Sequence, residues 1–182
     1  MKEQRWDRHV TFLRAGGAIL RLSDAAVATM HNHVQRHPKS TEAGGILLGR
    51  MLMKSDDVVV DEVTVPGPHD SRNRFRFSRA RQPAQTAVND AWTRSSGELN
   101  YLGEWHTHPE DDPQPSGHDQ KDWRRLVASQ IYEQASLFFV IVGRRVIRAW
   151  EFTRAEACEV QLATVVDRQD DEVSAHSYRR SV

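Results

Sequence analysis

The spacing of hydrophobic residues along the chain predicts an alternation of strands and helices. Short apolar or β-branched runs are typical of strands, and apolar positions that recur every three or four residues are typical of helices. We expect strands over 18–22, 45–53, 58–65, 74–78, 99–108, 137–142 and 146–152. We expect helices over about 24–35, 83–94 and 116–132, whereas 154–166 is compatible with either.

The order of these elements indicates the fold class. The turn-forming segments 55–57 and 143–145 each separate two predicted strands, so both pairs are expected to form hairpins. Because hairpins alternate with helices, we predict a mixed α/β (α+β) domain with a largely antiparallel sheet flanked by helices. We place this single domain at 1–166 and expect the polar segment 167–182 to be a disordered tail.

Composition narrows the class of protein further. A chain of 182 residues is the usual size of one domain, and its 25 basic and 25 acidic residues create no global field that would attract nucleic acid or a membrane. No apolar run approaches the ~20 residues of a membrane span, and the N-terminus has no apolar signal region, so we expect a cytoplasmic protein. Cys158 is the only cysteine, which excludes an internal disulfide and predicts a buried, inert thiol.

A pair of histidines carries the main chemical signal. His106 and His108 lie two apart at the end of a predicted strand, so both imidazoles can face one point. Asp119 follows in the first turn of a predicted helix, where the helix dipole favours a carboxylate. Two histidines and one carboxylate make the three-ligand set of a catalytic zinc site, which leaves a fourth position for water. Trp105 is expected to point the other way, into the core.

Hydrolysis by a zinc-bound water also needs a general base, and the spacing of residues in the sequence does not show which carboxylate serves as that base. Zinc lowers the pKa of bound water toward ~7, and a carboxylate can accept the proton and pass it to a leaving amine. Glu104 is close to the histidines in sequence and shares their strand face if the strand is regular. Glu42, which precedes the predicted strand 45–53, is the other candidate.

A family resemblance favours Glu42. The segment EAGGILLG at 42–49, followed much later by HTHPEDDPQPSGHD, resembles the JAMM (JAB/MPN+) zinc metalloproteases. The resemblance implies Glu42 as general base, Ser116 as donor to the oxyanion, and zinc ligands at His106, His108 and Asp119. It also implies a sheet flanked by helices and a hydrolase that cleaves peptide or isopeptide bonds.

A bacterial branch of the family is more similar still. The strings GPHDSRNRFRF and YLGEWHTHPEDDPQPS resemble JAB proteins encoded beside E1- and E2-like enzymes in CBASS-type antiphage operons. This implies a deubiquitinase-like isopeptidase whose substrate is a protein joined through its C-terminal tail to an amine, such as a nucleotidyltransferase or a ubiquitin-like protein. We expect the tail to lie extended beside a strand within 63–77.

Other interpretations stay open beside this one. The three ligands could form a buried polar cluster without metal, and Ser116 could be only a helix N-cap. DNA-repair-associated or sulfur-carrier-processing JAB enzymes and non-catalytic MPN scaffolds are the rival classes. The arginines between Arg72 and Arg81 fit either a solvated face or a partner-binding surface, and His31 and His33 are expected to be exposed.

Overall fold

One large sheet organises the part of the chain that the structure describes. The computed structural model describes residues 9–129, 134–155 and 158–165. The strands are β1 Val10–Leu13, β2 Ile19–Leu22, β3 Gly44–Met51, β4 Val58–Val63, β5 Ser71–Asn73, β6 Arg76–Ser78, β7 Asn100–Thr107, β8 Ser136–Val142, β9 Ile147–Thr153, β10 Glu159–Gln161 and β11 Ala163–Val165. The helices are α1 Asp24–His31, α2 Arg81–Arg94 and α3 Gly117–Ala128.

Nine strands pair in the order β10-β9-β8-β7-β3-β4-β2-β1-β11, and β5 and β6 form a separate two-stranded hairpin. Only the β2–β4 and β7–β8 pairs are parallel, so the predicted mixed, largely antiparallel sheet is confirmed. Both predicted hairpins are present, as β3–β4 and β8–β9.

The helices cover both faces of the sheet because the central strands are apolar on both sides. Ala26, Val27 and Met30 of α1 pack with one set of strand residues in the largest hydrophobic cluster. On the opposite face, α2 packs over Ile46 and Leu48 of β3, while α3 packs over β8 and β9. His106 near the end of β7 and His108 just beyond it lie at one end of a central strand of the sheet.

A β-bulge in β7 decides which side chains reach each face. The pairing with β3 skips a residue near Gly103, so Leu102 and Trp105, three apart, both join the cluster under α1. Trp105 is 1% exposed, which confirms the prediction that it faces the core. Glu104 and His106 lie on the other face, which carries α2 and α3.

Several predicted element boundaries were wrong. The first helix ends at His31 instead of 35, because Gln35 is buried and bonds carbonyl oxygens outside any helix. The predicted strand 74–78 contains only the turn, at Arg74 and Phe75, and the second strand, β6, of a hairpin whose first strand, β5, was not predicted. The ambiguous segment 154–166 supplies β10 and β11, which pair on opposite edges of the sheet.

Predictions for single residues also differ from the structure at three positions. Cys158 is exposed, since it lies beside an edge strand and not in the core. His31 and His33 are half-buried, because the imidazole of His33 packs against Trp105 at a centroid distance of 6.0 Å.

The strand β1 was not predicted, and the tail expected over 167–182 lies outside the described residues. Among the described helices, none is long and apolar enough to cross a membrane.

Candidate metal centre

The end of β7 presents two imidazoles side by side. Nε2 of His106 lies 3.0 Å from Nε2 of His108, and their ring centroids are 4.8 Å apart. Thr107 between them is fully buried and points to the opposite face, as strand alternation requires. The backbone N–H of His108 bonds to the carbonyl of Val142 on β8, which extends the sheet pairing as far as the second histidine.

A constrained loop brings the third candidate ligand back to the histidines. After His108 the chain crosses the turn between β8 and β9, where the N–H of Arg144 donates to the Glu110 carbonyl at 2.7 Å. The side chain of Arg144 also pairs with Asp111 at 2.7 Å. A Cβ atom at position 143 would collide with this loop, so the close approach of the loop to the β8–β9 turn depends on Gly143. The loop therefore reaches α3 with a defined path.

Ser116 begins α3 as its N-cap and bonds to Asp119 in both directions. The Ser116 hydroxyl accepts the backbone N–H of Asp119 at 3.2 Å and donates to its Oδ2 at 2.6 Å. The backbone N–H of Ser116 donates to the same carboxylate at 2.6 Å, which completes a capping box. These contacts fix the orientation of the Asp119 carboxylate and direct it toward the imidazoles.

The three side chains lie close together and offer the donor types of a metal site. Asp119 Oδ1 is 3.3 Å from His106 Nε2, and Oδ2 is 3.4 Å from His108 Nε2. One candidate ligand atom from each residue lies within 4.8 Å of the other two. Two imidazoles and a carboxylate are donor types that zinc takes, so the residues fit a zinc site. The described residues contain this one group of three candidate ligands.

Electrostatics within the cluster favour the ionised carboxylate. Burial opposes charge on Asp119, but hydrogen bonds from His106, His108 and Ser116 outweigh it and hold its pKa well below the ordinary value. Burial likewise opposes charge on His108, whereas its hydrogen bond with Asp119 raises the pKa of the imidazole. A carboxylate that stays ionised is the form that ligates a metal.

Glu42 lies beside this cluster and is almost completely buried. It is 4% exposed, and its Oε1 is 3.8 Å from Nε2 of His108. Burial raises its pKa to about 7, although the two histidines and a backbone N–H from Phe77 act in the opposite direction. A carboxyl group with this pKa can both accept and release a proton near neutral pH. The structure thus brings all five predicted site residues into one region.

Glu104, the rival base, is engaged elsewhere. It faces the same side of β7 as His106, but its Oε1 accepts hydrogen bonds from the guanidinium of Arg79, with Nε at 3.1 Å. Burial lowers the pKa of the Arg79 guanidinium, but the Glu104 carboxylate raises it by more, so the net shift of this pKa is upward. A glutamate held in an ion pair is a poor acceptor for a substrate proton. The geometry therefore favours Glu42.

The basic stretch is divided between structural contacts and solvent. Arg72 donates to the Glu42 carbonyl at 2.7 Å, and Arg74 donates to the carbonyls of His37 and Pro38. Arg76 and Arg81 are exposed on the surface. Sequence reasoning did not find the contacts of Arg72 and Arg74, since their partners lie 30 or more positions away.

Comparisons with known proteins agree with the fold and the motif. A family model described as prokaryotic homologs of the JAB domain matches residues 23–153. The chain is 39% identical over 129 residues to a protein of Pseudomonas aeruginosa named CD-NTase/cGAS isopeptidase, covering 71% of this chain and 80% of that one. It is 35% identical over 139 residues to a protein of the same name from Vibrio cholerae, covering 76% and 85%.

A solved structure supports the architecture separately. The solution structure of a protein from Desulfitobacterium hafniense superimposes with a TM-score of 0.55 at 23% identity, covering 78% of this chain and 88% of that chain. At this identity the likeness bears on the fold alone. The family match spans both the EAGGILLG segment and the histidine motif, and this chain therefore belongs to the prokaryotic JAB-domain family.

Proposed function

We propose that the protein is a zinc-dependent isopeptidase that hydrolyses the bond between the C-terminus of a conjugated protein and an amine. The observation that carries this proposal is a buried glutamate, Glu42, beside a cluster of three candidate metal ligands. The two relatives named CD-NTase/cGAS isopeptidase support a CD-NTase, a nucleotidyltransferase, as the conjugated protein. The resemblance to JAB proteins of antiphage operons supports a role in such a system, where E1- and E2-like enzymes would form the conjugate.

In this proposal His106, His108 and Asp119 would hold the metal, which supplies Lewis acidity toward the carbonyl oxygen and a more acidic water. Glu42 accepts the proton of the attacking water as the new C–O bond forms. It then returns that proton to the amine nitrogen as the C–N bond breaks, so the products are a carboxylate and a free amine. The buried position of Glu42 beside His108 places its carboxylate where it can make both transfers.

The β5–β6 hairpin is the proposed wall for the substrate tail. Its Phe77 N–H contacts the Glu42 carboxylate, and the ring of Phe77 lies so close to Gly44 that an added Cβ would meet it at 2.5 Å. Phe75 at the hairpin turn is 72% exposed, and Arg76 beside it is also exposed. An extended tail passing along this hairpin would reach the metal cluster with its C-terminal carbonyl group.

The substitution Glu42→Gln tests the proposal directly. The assay uses a CD-NTase C-terminal segment joined by an isopeptide bond to a lysine-containing reporter, with the zinc-loaded protein. We expect kcat to fall by about 10²–10⁴, because a proton acceptor is lost, while zinc content and fold persist. The wild-type protein should also lose activity when a chelator removes zinc.

The matched control is Glu98→Gln, which changes an exposed glutamate outside the site. It should turn over at the wild-type rate. A Glu42→Gln protein that retains full turnover would refute the role of Glu42, and one that loses zinc would make Glu42 a ligand instead of a base. A wild-type protein that, loaded with zinc, cleaves no isopeptide would refute the proposed function.

A further inference from the structure

A buried amide side chain lies directly behind the metal ligands. Gln35 is 2% exposed and lies in the turn that follows α1. Its Nε2 donates to the carbonyl of Arg74 at 2.8 Å and to that of Ser40 at 3.2 Å, and its Oε1 accepts the hydroxyl of Thr107 at 3.2 Å. An amide side chain carries two N–H donors and one carbonyl acceptor. Gln35 therefore uses every one of its polar groups to join three separate segments.

Thr107 connects this amide to the catalytic strand. It is fully buried between the two histidines in sequence. Its hydroxyl also accepts the backbone N–H of Ala43 at 3.0 Å, and its own N–H donates to the Ala43 carbonyl at 2.8 Å. Ala43 follows Glu42 directly. One side chain thus holds the backbone that carries the candidate base against the backbone that carries both imidazoles.

The hydrogen bond from Gln35 to the Arg74 carbonyl connects the β5–β6 hairpin to the segments that Gln35 and Thr107 join. The Arg74 carbonyl lies at the turn of the β5–β6 hairpin. The neighbouring Asn73 carbonyl accepts the N–H of Glu42 at 2.7 Å, and the Phe77 N–H contacts the Glu42 carboxylate. Glu42 is therefore enclosed by the hairpin on one side and by Thr107 and Ala43 on the other. Gln35 bonds to both sides of this enclosure.

From these contacts we infer that Gln35 is a positioning residue, which fixes the Glu42 carboxylate relative to the imidazoles through Thr107 and the hairpin. The inference rests on the proposed function. Replacing Gln35 with an apolar residue of similar shape removes one partner of each of these hydrogen bonds, so the buried Thr107 hydroxyl loses its acceptor and the fold loses some stability. What such a replacement removes is the orientation of its partners.

Kinetics of Gln35→Met, a near-isosteric variant without donors or acceptor, test this inference. With zinc loaded, we expect kcat to fall about 10–100-fold while KM changes by less than about twofold, as for other residues that orient a metal site. Thr107→Val should behave alike, and Thr107→Ser, which keeps the hydroxyl, should restore most of kcat. Because the two side chains share the hydrogen bond between them, the loss of kcat in the double variant should be smaller than the product of the two single losses.

Ser23→Ala is the matched control, since it removes the N-cap of α1 and costs stability without touching the hairpin. Its kcat should stay at the wild-type value. A Gln35→Met protein with wild-type kcat, or a double variant whose losses multiply, would overturn the inference.

Hydrogen exchange gives a readout that does not depend on turnover. In the zinc-loaded Gln35→Met protein, amides of 71–78 should exchange at least about tenfold faster than in the wild type, whereas Ser23→Ala should leave them unchanged. Exchange at the wild-type rate would overturn the inference. If the wild-type protein cleaves no isopeptide, the proposed function fails, and the exchange rates of the hairpin alone then decide whether Gln35 holds it.

Discussion

Ser116 shows how a single hydroxyl can serve stability and chemistry together. In the structure it accepts one hydrogen bond from the Asp119 N–H and donates another to the Asp119 carboxylate. These contacts account for its place as an N-cap. A role as oxyanion donor would require its hydroxyl to turn from Asp119 to the substrate oxygen during the reaction. The two roles can be separated, because they predict losses of different size in different measurements.

We predict that Ser116→Ala lowers kcat by about 10²-fold, because a donor to the developing oxyanion is lost. The Michaelis constant should change little, since that charge exists only in the transition state. Stability should fall by about 1 kcal/mol through loss of the cap. Paired thermal melts and steady-state assays at saturating zinc measure both effects. A variant that melts earlier but turns over at the wild-type rate would leave Ser116 as a helix cap only.

At the scale of elements, hydrophobic spacing located the central strands and two of the three helices well. It missed features that depend on partners distant in sequence. The bulge in β7 is one example, because Gly103 has a φ of +142° and its backbone contacts β8 closely. The β5–β6 hairpin is another, since the polar string from Ser71 to Ser78 is held by bonds to Glu42 and to Gln35, not by an apolar face of its own.

The bulge leads to a prediction about Gly103→Ala. A Cβ at this position would lie 1.9 Å from the Phe138 carbonyl oxygen, and its backbone conformation is one that L residues rarely adopt. Strain and overpacking of this kind each cost about 1–3 kcal/mol, so we expect a loss of about 3 kcal/mol or more. Urea unfolding measures it. Gly67→Ala, where the nearest atom is 3.9 Å away, should be close to neutral. Equal stability of the two variants would contradict the packing at the bulge.

For the molecule as a whole, the sequence predicted which candidate residues lie together better than it predicted the contacts that hold them. His106, His108 and Asp119 lie within 14 positions, so strand alternation and the start of a helix sufficed to group them. Glu42 came from resemblance, because nothing in its own spacing distinguishes it from other carboxylates. Gln35 had no signal at all, since a buried amide can be recognised only from partners that the fold brings together.

The ion pair between Arg14 and Glu151 is another contact between residues that lie far apart in the sequence. Arg14 Nη2 lies 2.7 Å from Glu151 Oε1, and the two side chains are 13% and 9% exposed. Burial raises the pKa of Glu151, but hydrogen bonds from Arg14 and Ser136 outweigh it and lower that pKa below the ordinary value. A carboxyl group with a lowered pKa in the folded state stabilises the fold above its unfolded pKa. That contribution is lost as the pH falls through the folded pKa.

We therefore predict that Arg14→Met loses about 3 kcal/mol at pH 7, because Glu151 stays buried without its partner. The difference from the wild type should narrow as the pH falls from 7, because the unpaired Glu151 of the variant, with its pKa now raised above the ordinary value by burial, gains a proton. The wild type keeps its ion pair over this range, since the lowered pKa of its Glu151 holds the carboxylate ionised until the pH falls below the ordinary carboxyl value. Urea unfolding between pH 7 and pH 4 measures this at fixed zinc.

The same substitution at an exposed pair provides the comparison. Arg50 and Asp61 are 2.8 Å apart, but their side chains are 43% and 24% exposed, so solvent screens the attraction. Arg50→Met should cost less than about 1 kcal/mol and depend little on pH over this range. If Arg14→Met and Arg50→Met lost equal stability at pH 7, burial would not distinguish the two pairs. A difference from wild type that stayed constant down to pH 4 would show that the contact of the Arg14 guanidinium with the Phe138 ring, and not the charge of Glu151, accounts for the loss.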